Sequence, residues 1–335
     1  MKAGASLPLE KHFGGQPYVL RDVAPGDAPE VLRLFSHAFG HAAGHDWFDW
    51  KYLAGKGTAL GLWDGIGNLK AHCAGTPRTI AWCGKLLAGL QVGDVMVSTD
   101  MRGLVMRKGP FQQVSSRFFA SRIGTDQPFQ FAWGFPNQRH MRLGVALGLF
   151  WDGGTIHQLS WPARQEGASV WWSFNALTGK AISFDRQVDA VWRAMAKDFQ
   201  DHVLGVRDSA YIRWRFLARP EHPYQLFALR RRLTGRMQAL VVMRITEGKA
   251  ELLDFVGPRS ALLPALRAAI KEAARAGAAT LTAWASPVLA ELMHGTGAQA
   301  TPSGASLAII KESICSEAQI KAARWWWMGG DTDFL

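Results

Sequence analysis

The stretch that decides the fold lies in the first half of the chain: Val95-Met96-Val97-Ser98-Thr99-Asp100-Met101-Arg102-Gly103, then Leu104 to Lys108, then Gly109-Pro110-Phe111. An apolar strand pattern leads into a basic loop that contains glycine, and the loop leads into a helix with proline at its first position. A helix start offers free backbone N–H groups and the positive end of the helix dipole. The loop adds three cations: Arg102, Arg107 and Lys108. Together these features fit either a basic surface turn or a site for a pyrophosphate.

Hydrophobic periodicity around this stretch predicts alternating strands and helices. Apolar residues at helical spacing predict a helix over 28–39, and the runs between glycines that follow it predict an antiparallel meander. The elements predicted for the first half are, in order, strand Tyr18–Val23, helix Ala28–Phe39, strands Thr58–Trp63, Leu69–Cys73, Arg78–Cys83 and Leu86–Val97, a helix from Pro110, strand Phe129–Trp133 and helix Gln138–Leu147.

Two motifs of the first half return in the second half in the same order. Phe48–Ala54 is similar to Ile212–Ala218 at a spacing of 164 residues, and Phe131–Pro136 is similar to Thr282–Pro287 at a spacing of 151. The elements predicted for the second half are helix Val188–Phe199, strands Tyr224–Leu229, Met237–Arg244 and Ala250–Val256, a helix from the N-cap Ser260 to Ala276, closed by Gly277, and strand Ala279–Trp284.

The repeat and the length of 335 residues predict an α/β (α+β) chain with two tandem domains. Each domain is expected to be a mixed, mostly antiparallel sheet flanked by helices. The predicted boundaries are a flexible tail over 1–16, an N-terminal domain over 17–160, a connector over 161–180 and a degenerate C-terminal domain over 181–335.

Composition and charge exclude several classes of protein. With 48% hydrophobic and 19% charged residues the chain is neither disordered nor collagen-like, and no apolar run is long enough to span a membrane. The N-terminus has no secretory h-region and the three cysteines form no framework of bridges, so we expect a cytoplasmic protein with reduced thiols. The net charge of +11 favours an anionic partner: a phosphorylated cofactor, an acidic glycan or nucleic acid.

At the strand, basic loop and helix start, the sequence resembles the GCN5-related N-acetyltransferase (GNAT) superfamily. In that family a Val-x-Pro-x-x-Arg-Gly-x-Gly segment after the fourth strand wraps the pyrophosphate of coenzyme A. Val97–Gly103 matches its first part, and the second glycine is delayed to Gly109. The resemblance covers residues 17–150 and extends weakly over 181–335 as a degenerate copy.

A later motif of the family strengthens the resemblance and also shows a departure from it. Four positions match in register: Asn137, Leu143, Gly148 and Leu149. His140 and Gly144 differ from the family, and Gly144 stands where the family usually carries the tyrosine that acts as general acid.

The resemblance implies an acyl-CoA-dependent N-acyltransferase, with acetyl-CoA the expected co-substrate and no metal. The acceptor is expected to be a small-molecule or glycan amine; neither its identity nor the acyl chain length follows from the sequence. The predicted cofactor-binding residues are Met96, Val97, Ser98, Arg102, Gly103, Arg107, Lys108, Gly109, Pro110, Phe111 and Asn137.

Acyl transfer to an amine needs a base, because a free alkyl amine has a pKa of roughly 10 and is therefore protonated at neutral pH. Asp94 lies near the place where the family often carries this base, and Asp254 is its counterpart in the second half. The alternative is that Asp94 only hydrogen-bonds a neighbouring strand or turn. His140 is the candidate proton donor to the leaving thiolate, and backbone N–H groups around 96–98 are expected to meet the oxyanion.

Two other functions remain open at this point. One is a non-catalytic GNAT-like module that binds an anionic ligand, which the missing tyrosine and the lengthened loop favour. The other is an aminoacyl-tRNA-dependent transferase, which the positive charge favours. Separately, Arg230–Arg232 and Arg236 are predicted to lie at a hairpin tip, either solvated or against an acidic partner.

Overall fold

The computed structural model describes residues 8–13, 15–101, 109–165, 167, 169–220 and 224–332. The chain divides into two compact units, each built from discontinuous segments. Unit 1 comprises residues 1–78, 87–153 and 307–321, and unit 2 comprises residues 79–86, 154–306 and 322–335.

The strands of the described residues are numbered in chain order. They are β1 (Leu9–Phe13), β2 (Gln16–Asp22), β3 (Thr58–Asp64), β4 (Leu69–Trp82), β5 (Lys85–Val97), β6 (Phe131–Gly134), β7 (Phe150–Pro162), β8 (Trp172–Ala176), β9 (Val203–Gly205), β10 (Tyr224–Arg231), β11 (Met237–Thr246), β12 (Lys249–Val256), β13 (Thr280–Ala285), β14 (Gln299–Ile310) and β15 (Trp325–Trp326).

The α-helices are numbered in the same way. They are α1 (Ala28–Phe39), α2 (His45–Phe48), α3 (Pro110–Arg122), α4 (Gln138–Ala146), α5 (Phe184–Asp198), α6 (Ser209–Ile212), α7 (Arg259–Arg275), α8 (Pro287–Leu292) and α9 (Glu317–Ala322).

Unit 1 is built on a sheet whose strand order is β1-β2-β3-β4-β5-β6, with the end of β14 on the far side of β6. The pairs β1–β2, β2–β3, β3–β4 and β6–β14 are antiparallel, and the pair β5–β6 is parallel. Apolar side chains from α3 and α4 pack on this sheet and close its core, which includes Leu20, Leu60, Leu62, Ala71, Leu90, Val114, Phe118, Phe119, Met141, Phe150 and Ile310.

Unit 2 repeats this arrangement with the strand order β7-β13-β12-β11-β10-β8. Again one pair, β12 with β13, is parallel and the others are antiparallel. Helices α5 and α7 pack on the sheet, and a short strand β9 pairs with β15. The fold is therefore of the mixed α/β class, a mostly antiparallel sheet flanked by helices, which confirms the predicted fold class.

The parallel pair of each unit separates after a short pairing. In unit 1, β5 and β6 pair over three consecutive positions that end at Gln91 and Trp133. In unit 2, β12 and β13 also pair over three positions, which end at Leu252 and Ala283. Beyond the point where two parallel strands separate, their backbone groups no longer hydrogen-bond to each other. These groups then need other partners.

The first repeated sequence motif is also a repeated structure. In unit 1, α2 continues directly into a π-helical turn over Asp49–Ala54, and in unit 2, α6 continues into a π-helical turn over Arg213–Leu217. Such turns are rare and cluster at functional sites. The second motif also keeps its form: in both units a strand ends and a helix follows within a few residues.

Most predicted elements are present, and several predictions were wrong in detail. Leu69–Cys73 and Arg78–Cys83 are not two strands but parts of the single strand β4. Ser260 is not the N-cap of α7, which begins at Arg259 after Pro258. Residues 9–13 of the tail predicted as flexible form β1, which pairs with β2. Among the described strands, the sequence did not predict β1, β7, β8, β9, β14 and β15.

In unit 2, the segment Trp325–Asp331 lies against the strands that separate. Ser286, directly after β13, donates its N–H to the carbonyl of Trp327 at 3.0 Å and its hydroxyl to the carbonyl of Trp325 at 2.5 Å. Tyr211 Oη donates to the carbonyl of Gly330 at 2.9 Å. This segment therefore supplies backbone partners beyond the point where β12 and β13 part.

Arg207 links this segment to β12. Its Nε donates to Asp254 Oδ1 at 2.8 Å, and its Nη2 donates to Asp331 Oδ2. All three side chains are fully buried, so the guanidinium compensates two carboxylates that have lost their water.

Replacing Arg207 is expected to destabilise the protein strongly, because it leaves two buried carboxylates without a cation. We expect Arg207→Met to lower the free energy of unfolding by about 3–5 kcal/mol, measured by urea denaturation. The control is Lys321→Met, which removes an exposed ion pair with Glu317 and is expected to leave the denaturation midpoint in place. Equal midpoints for the two variants would contradict the role assigned to Arg207.

Candidate functional site

The candidate site of unit 1 centres on Asp94, in β5 just beyond the last residue that pairs with β6. Asp94 has a φ of 49°, a left-handed backbone conformation that is uncommon for residues other than glycine. The buried side chain of His72, on β4, donates from Nδ1 to the carbonyl oxygen of Asp94 at 2.7 Å. This hydrogen bond holds the carbonyl of the irregular residue in place.

The carboxylate of Asp94 accepts two short hydrogen bonds. Lys51 Nζ lies 2.6 Å from Asp94 Oδ2, and Tyr52 Oη donates to the same oxygen at 2.6 Å. The Lys51 and Asp94 side chains are 2% and 8% exposed, so the ion pair is nearly free of water. A buried ion pair with an added hydrogen bond is costly to break from one side.

The π-helical turn explains how two consecutive side chains reach the same carboxylate. The turn carries Lys51 and Tyr52 toward Asp94, and aromatic neighbours hold both of them. The Lys51 ammonium lies 5.3 Å from the ring centre of Trp47, and the Tyr52 ring packs on Phe48 at 4.8 Å. The aromatic residues of the repeated motif therefore position the polar ones.

Burial lowers the pKa of His72, because water no longer stabilises the charged ring. The carbonyl of Asp94 can only accept a hydrogen bond, so Nδ1 of His72 carries the proton. His72 is therefore a neutral ring with the proton on Nδ1 at ordinary pH.

The start of α3 is the described part of the predicted pyrophosphate site. Its N-cap, Gly109, has no side chain to accept the N–H groups of the first turn, and Pro110 is the first helical residue. Gly109 and Pro110 are buried, and Phe111 is half-buried. The first turn of a helix and the positive end of its dipole suit an anion. Four residues of the prediction lie outside the described residues: Arg102, Gly103, Arg107 and Lys108.

The end of β5 only partly matches the expected oxyanion site. Met96 is buried, and Val97 and Ser98 are half-buried. The N–H of Ser98 donates to the carbonyl of Lys70 at 2.8 Å, so it is directed to β4 rather than to a substrate. Because successive N–H groups of a strand point to opposite edges, the N–H of Val97 points to the other edge.

Helix α4 places two predicted residues together. The Asn137 side chain caps this helix by accepting the N–H of His140 at 3.0 Å. The His140 ring is exposed and lies parallel to the Phe111 ring, with centres 6.4 Å apart. The structure thus brings His140 near the start of α3, and Asp94 into a cluster with Lys51, Tyr52 and His72.

Packing explains why the position of the family's usual tyrosine holds Gly144. A Cβ atom on Gly144 would lie 2.0 Å from Cδ2 of Phe150, well inside van der Waals contact. No larger side chain fits without moving the Phe150 ring, which belongs to the core of unit 1.

The sequence did not identify Lys51 or Tyr52 as partners of Asp94. The sequence did contain an indication, because both residues lie in the repeated aromatic motif. A lysine buried among aromatic side chains needs an anionic partner that is also buried. In unit 2 the equivalent cation, Arg215, donates instead to the carbonyls of Gly330 and Thr332.

Comparison with known proteins supports the assignment of unit 1. The model of the acetyltransferase (GNAT) domain family matches residues 19–144. No curated protein sequence matches the chain significantly.

Solved structures match most of the chain at low sequence identity. A probable N-acyltransferase from Enterococcus faecalis has a TM-score of 0.67 at 14% identity, and the match covers 88% of this chain and 73% of that one. A GCN5-related N-acetyltransferase from Anabaena variabilis has a TM-score of 0.63 at 13% identity, covering 92% and 75%. Saccharomyces cerevisiae N-myristoyltransferase with bound myristoyl-CoA has a TM-score of 0.58 at 12% identity, covering 91% and 81%.

The family model coincides with the unit that carries the separating parallel strands, the irregular Asp94 and the uncapped start of α3. Residues 19–144 of this chain therefore match the acetyltransferase (GNAT) domain family.

Proposed function

We propose that the chain is an acyl-CoA-dependent N-acyltransferase, with acetyl-CoA as the first co-substrate to test and an amine as acceptor. The observation that carries this proposal is the match of the acetyltransferase domain model to residues 19–144. The tandem arrangement is part of the proposal: unit 1 binds the acyl-CoA, and unit 2 has a structural or substrate-shaping role.

Two features of unit 1 support the proposal, one for the pyrophosphate of coenzyme A and one for its pantetheine arm. The uncapped first turn of α3 offers N–H donors for the pyrophosphate. In this proposal the amides of the pantetheine arm lie where β5 parts from β6. In this proposal Met96, Val97, Gly109, Pro110, Phe111 and Asn137 line the cofactor site, together with the predicted residues of the loop.

Asp94 is proposed as the base that takes the proton from the amine. The contacts from Lys51 and Tyr52 are to Oδ2, and Oδ1 is the atom proposed to receive the proton. The amine nitrogen then bonds to the thioester carbonyl carbon, the C–S bond breaks, and the thiolate leaves. His140 is the proposed donor of a proton to that thiolate, in place of the tyrosine that Gly144 excludes.

His72 is proposed as a positioning residue. It touches the backbone of Asp94 and not the reacting atoms, so its role is to fix the left-handed conformation that aims the carboxylate.

Ligand binding tests the cofactor assignment. Acetyl-CoA at about 100 times its dissociation constant should raise the free energy of unfolding by roughly 2.7 kcal/mol, measured by thermal unfolding of the whole chain. Gly109→Asp should abolish this shift, because an aspartate would cap α3 with a competing negative charge. Its matched control is Gly109→Asn, which caps the helix without a charge. Equal shifts in all three proteins would place the cofactor elsewhere, and no shift with acetyl-CoA, longer acyl-CoAs or free CoA would favour a non-catalytic module.

Turnover tests the base. Asp94→Asn should lower kcat by about 100-fold or more, because an amide cannot accept the amine proton, while the dissociation constant of CoA stays unchanged. The assay follows release of CoA from acetyl-CoA with a panel of amino sugars, amino acids and small amines. The control is Asp126→Asn, an exposed residue of the same unit. Full activity of Asp94→Asn with any accepted amine would exclude Asp94 as the base.

Acid sensitivity tests the neutral state of His72. Burial lowers the pKa of this ring in the folded protein, so the unfolded chain binds the proton more readily. The stability that His72 contributes is therefore complete above its ordinary pKa of about 6.5 and falls as the pH falls below it. His72→Asn keeps an N–H donor and does not titrate.

The difference in unfolding free energy between wild type and His72→Asn should therefore be smaller at pH 5 than at pH 7.5, measured by urea denaturation. The control His294→Asn replaces an exposed histidine, and its difference from wild type should stay constant. A constant difference for His72→Asn as well would mean that the folded protein accommodates a charged His72.

A further inference from the structure

A cluster of exposed apolar and cationic side chains lies at one end of the unit 2 sheet, remote in sequence from the proposed catalytic residues. We name it the basic-aromatic patch. Its members come from two neighbouring segments, the start of β8 and the turn between β10 and β11: Val170, Trp171, Arg231, Arg232, Leu233 and Arg236.

Hydrogen bonds show that the two segments are neighbours. The N–H of Arg232 donates to the carbonyl of Trp171 at 3.0 Å, and Nε of Arg232 donates to the carbonyls of Ser169 and Trp172 at 2.8 and 3.0 Å. The guanidinium of Arg231 stacks on the Trp172 ring at 3.9 Å. These bonds hold the patch in a defined shape rather than leaving it as two independent loops.

The apolar members of the patch are exposed to an unusual degree. Val170 is 79% exposed, Trp171 70% and Leu233 96%. Single exposed apolar residues are normal on protein surfaces. Three on adjoining segments indicate a surface that contacts a protein or a membrane.

The charge of the patch has one sign. Arg231, Arg232 and Arg236 are all exposed, and residues 167–176 and 224–237 contain neither aspartate nor glutamate. A set of arginines with no acidic residue on either segment attracts phosphate groups.

We propose that the basic-aromatic patch docks unit 2 on the surface of an anionic phospholipid bilayer. The arginines would contact the lipid phosphates, and Trp171 would lie at the level of the head groups, where tryptophan is enriched. Val170 and Leu233 would enter the boundary of the acyl chains. This docking needs no spanning segment, and no helix among the described residues is long and apolar enough to cross a membrane.

The aliphatic members favour a bilayer over nucleic acid. RNA also offers phosphates to arginine and stacks its bases on aromatic rings, but it offers no apolar phase to aliphatic side chains. Val170 and Leu233 are among the most exposed members of the patch, so binding to RNA would leave them in water.

Sedimentation with vesicles tests this proposal. The whole chain is mixed with vesicles of phosphatidylcholine alone or of phosphatidylcholine with 30% phosphatidylglycerol, in 0.1 M salt. We expect partition onto the anionic vesicles only. Arg231→Gln/Arg232→Gln/Arg236→Gln should weaken this partition about 100-fold, since each cation near an anionic surface contributes several-fold. Trp171→Ser/Leu233→Ser should weaken it at unchanged net charge.

Matched controls separate the patch from general effects of charge and hydrophobicity. Arg193→Gln/Lys197→Gln/Lys249→Gln removes the same charge from exposed positions of unit 2 outside the patch, and Ile66→Ser removes an exposed apolar residue of unit 1. Both should bind vesicles like the wild type. Absence of binding to anionic vesicles would overturn the proposal, as would equal losses in patch and control variants, or retention on tRNA without retention on vesicles.

Discussion

A carboxylate buried beside a pair of separating strands is the constraint on which both units depend. Asp94 follows the split of β5 from β6, and Asp254 follows the split of β12 from β13. Removing such a group from water is costly unless cations and hydrogen-bond donors replace the water. Each unit meets this requirement with residues that are distant in sequence, and the two solutions differ.

The two solutions differ in where the partners of the carboxylate come from. In unit 1 the partners of Asp94 come from the π-helical turn, and both bind one oxygen of the carboxylate. In unit 2 the corresponding turn faces the segment Trp325–Thr332, and Asp254 is paired with Arg207, which also binds Asp331. That segment takes the backbone partners and the charge that a ligand would otherwise use. In unit 2 the duplicated turn thus binds backbone carbonyls of the same unit, which agrees with the proposal of a single acyl-CoA site in unit 1.

The sequence predicts elements well where a single face is buried. Helix α1 has the predicted bounds, because Val31, Leu34 and Phe35 form one buried stripe. The prediction failed at β4, where a break containing Gly75 was expected between the strands Leu69–Cys73 and Arg78–Cys83. Gly75 is required there by packing instead, since a Cβ atom would lie 2.6 Å from the Leu90 side chain. Glycine is required both in turns and where neighbouring side chains pack closely on a strand. A single sequence does not distinguish these two causes.

The site was predictable only in part for a similar reason. The position of Asp94 followed from the family resemblance, but its partners Lys51 and Tyr52 come from a turn that lies about 40 residues earlier. Local sequence patterns do not predict which buried cation pairs with which buried anion. The replacement of a tyrosine by Gly144 could be read from the sequence, whereas its cause, the ring of Phe150, required coordinates.

The discontinuous make-up of unit 1 has a consequence for the growing polypeptide. The four residues of β6 are fully buried, and their outer edge is covered by Ala308 and Ile309, more than 170 residues further along the chain. At a synthesis rate of about 5–20 residues per second, the ribosome needs on the order of 10–30 s to cover that distance. During this interval β6 presents an apolar, unpaired edge, the kind of surface on which nascent chains associate wrongly. Unit 1 therefore cannot complete its fold until β14 emerges.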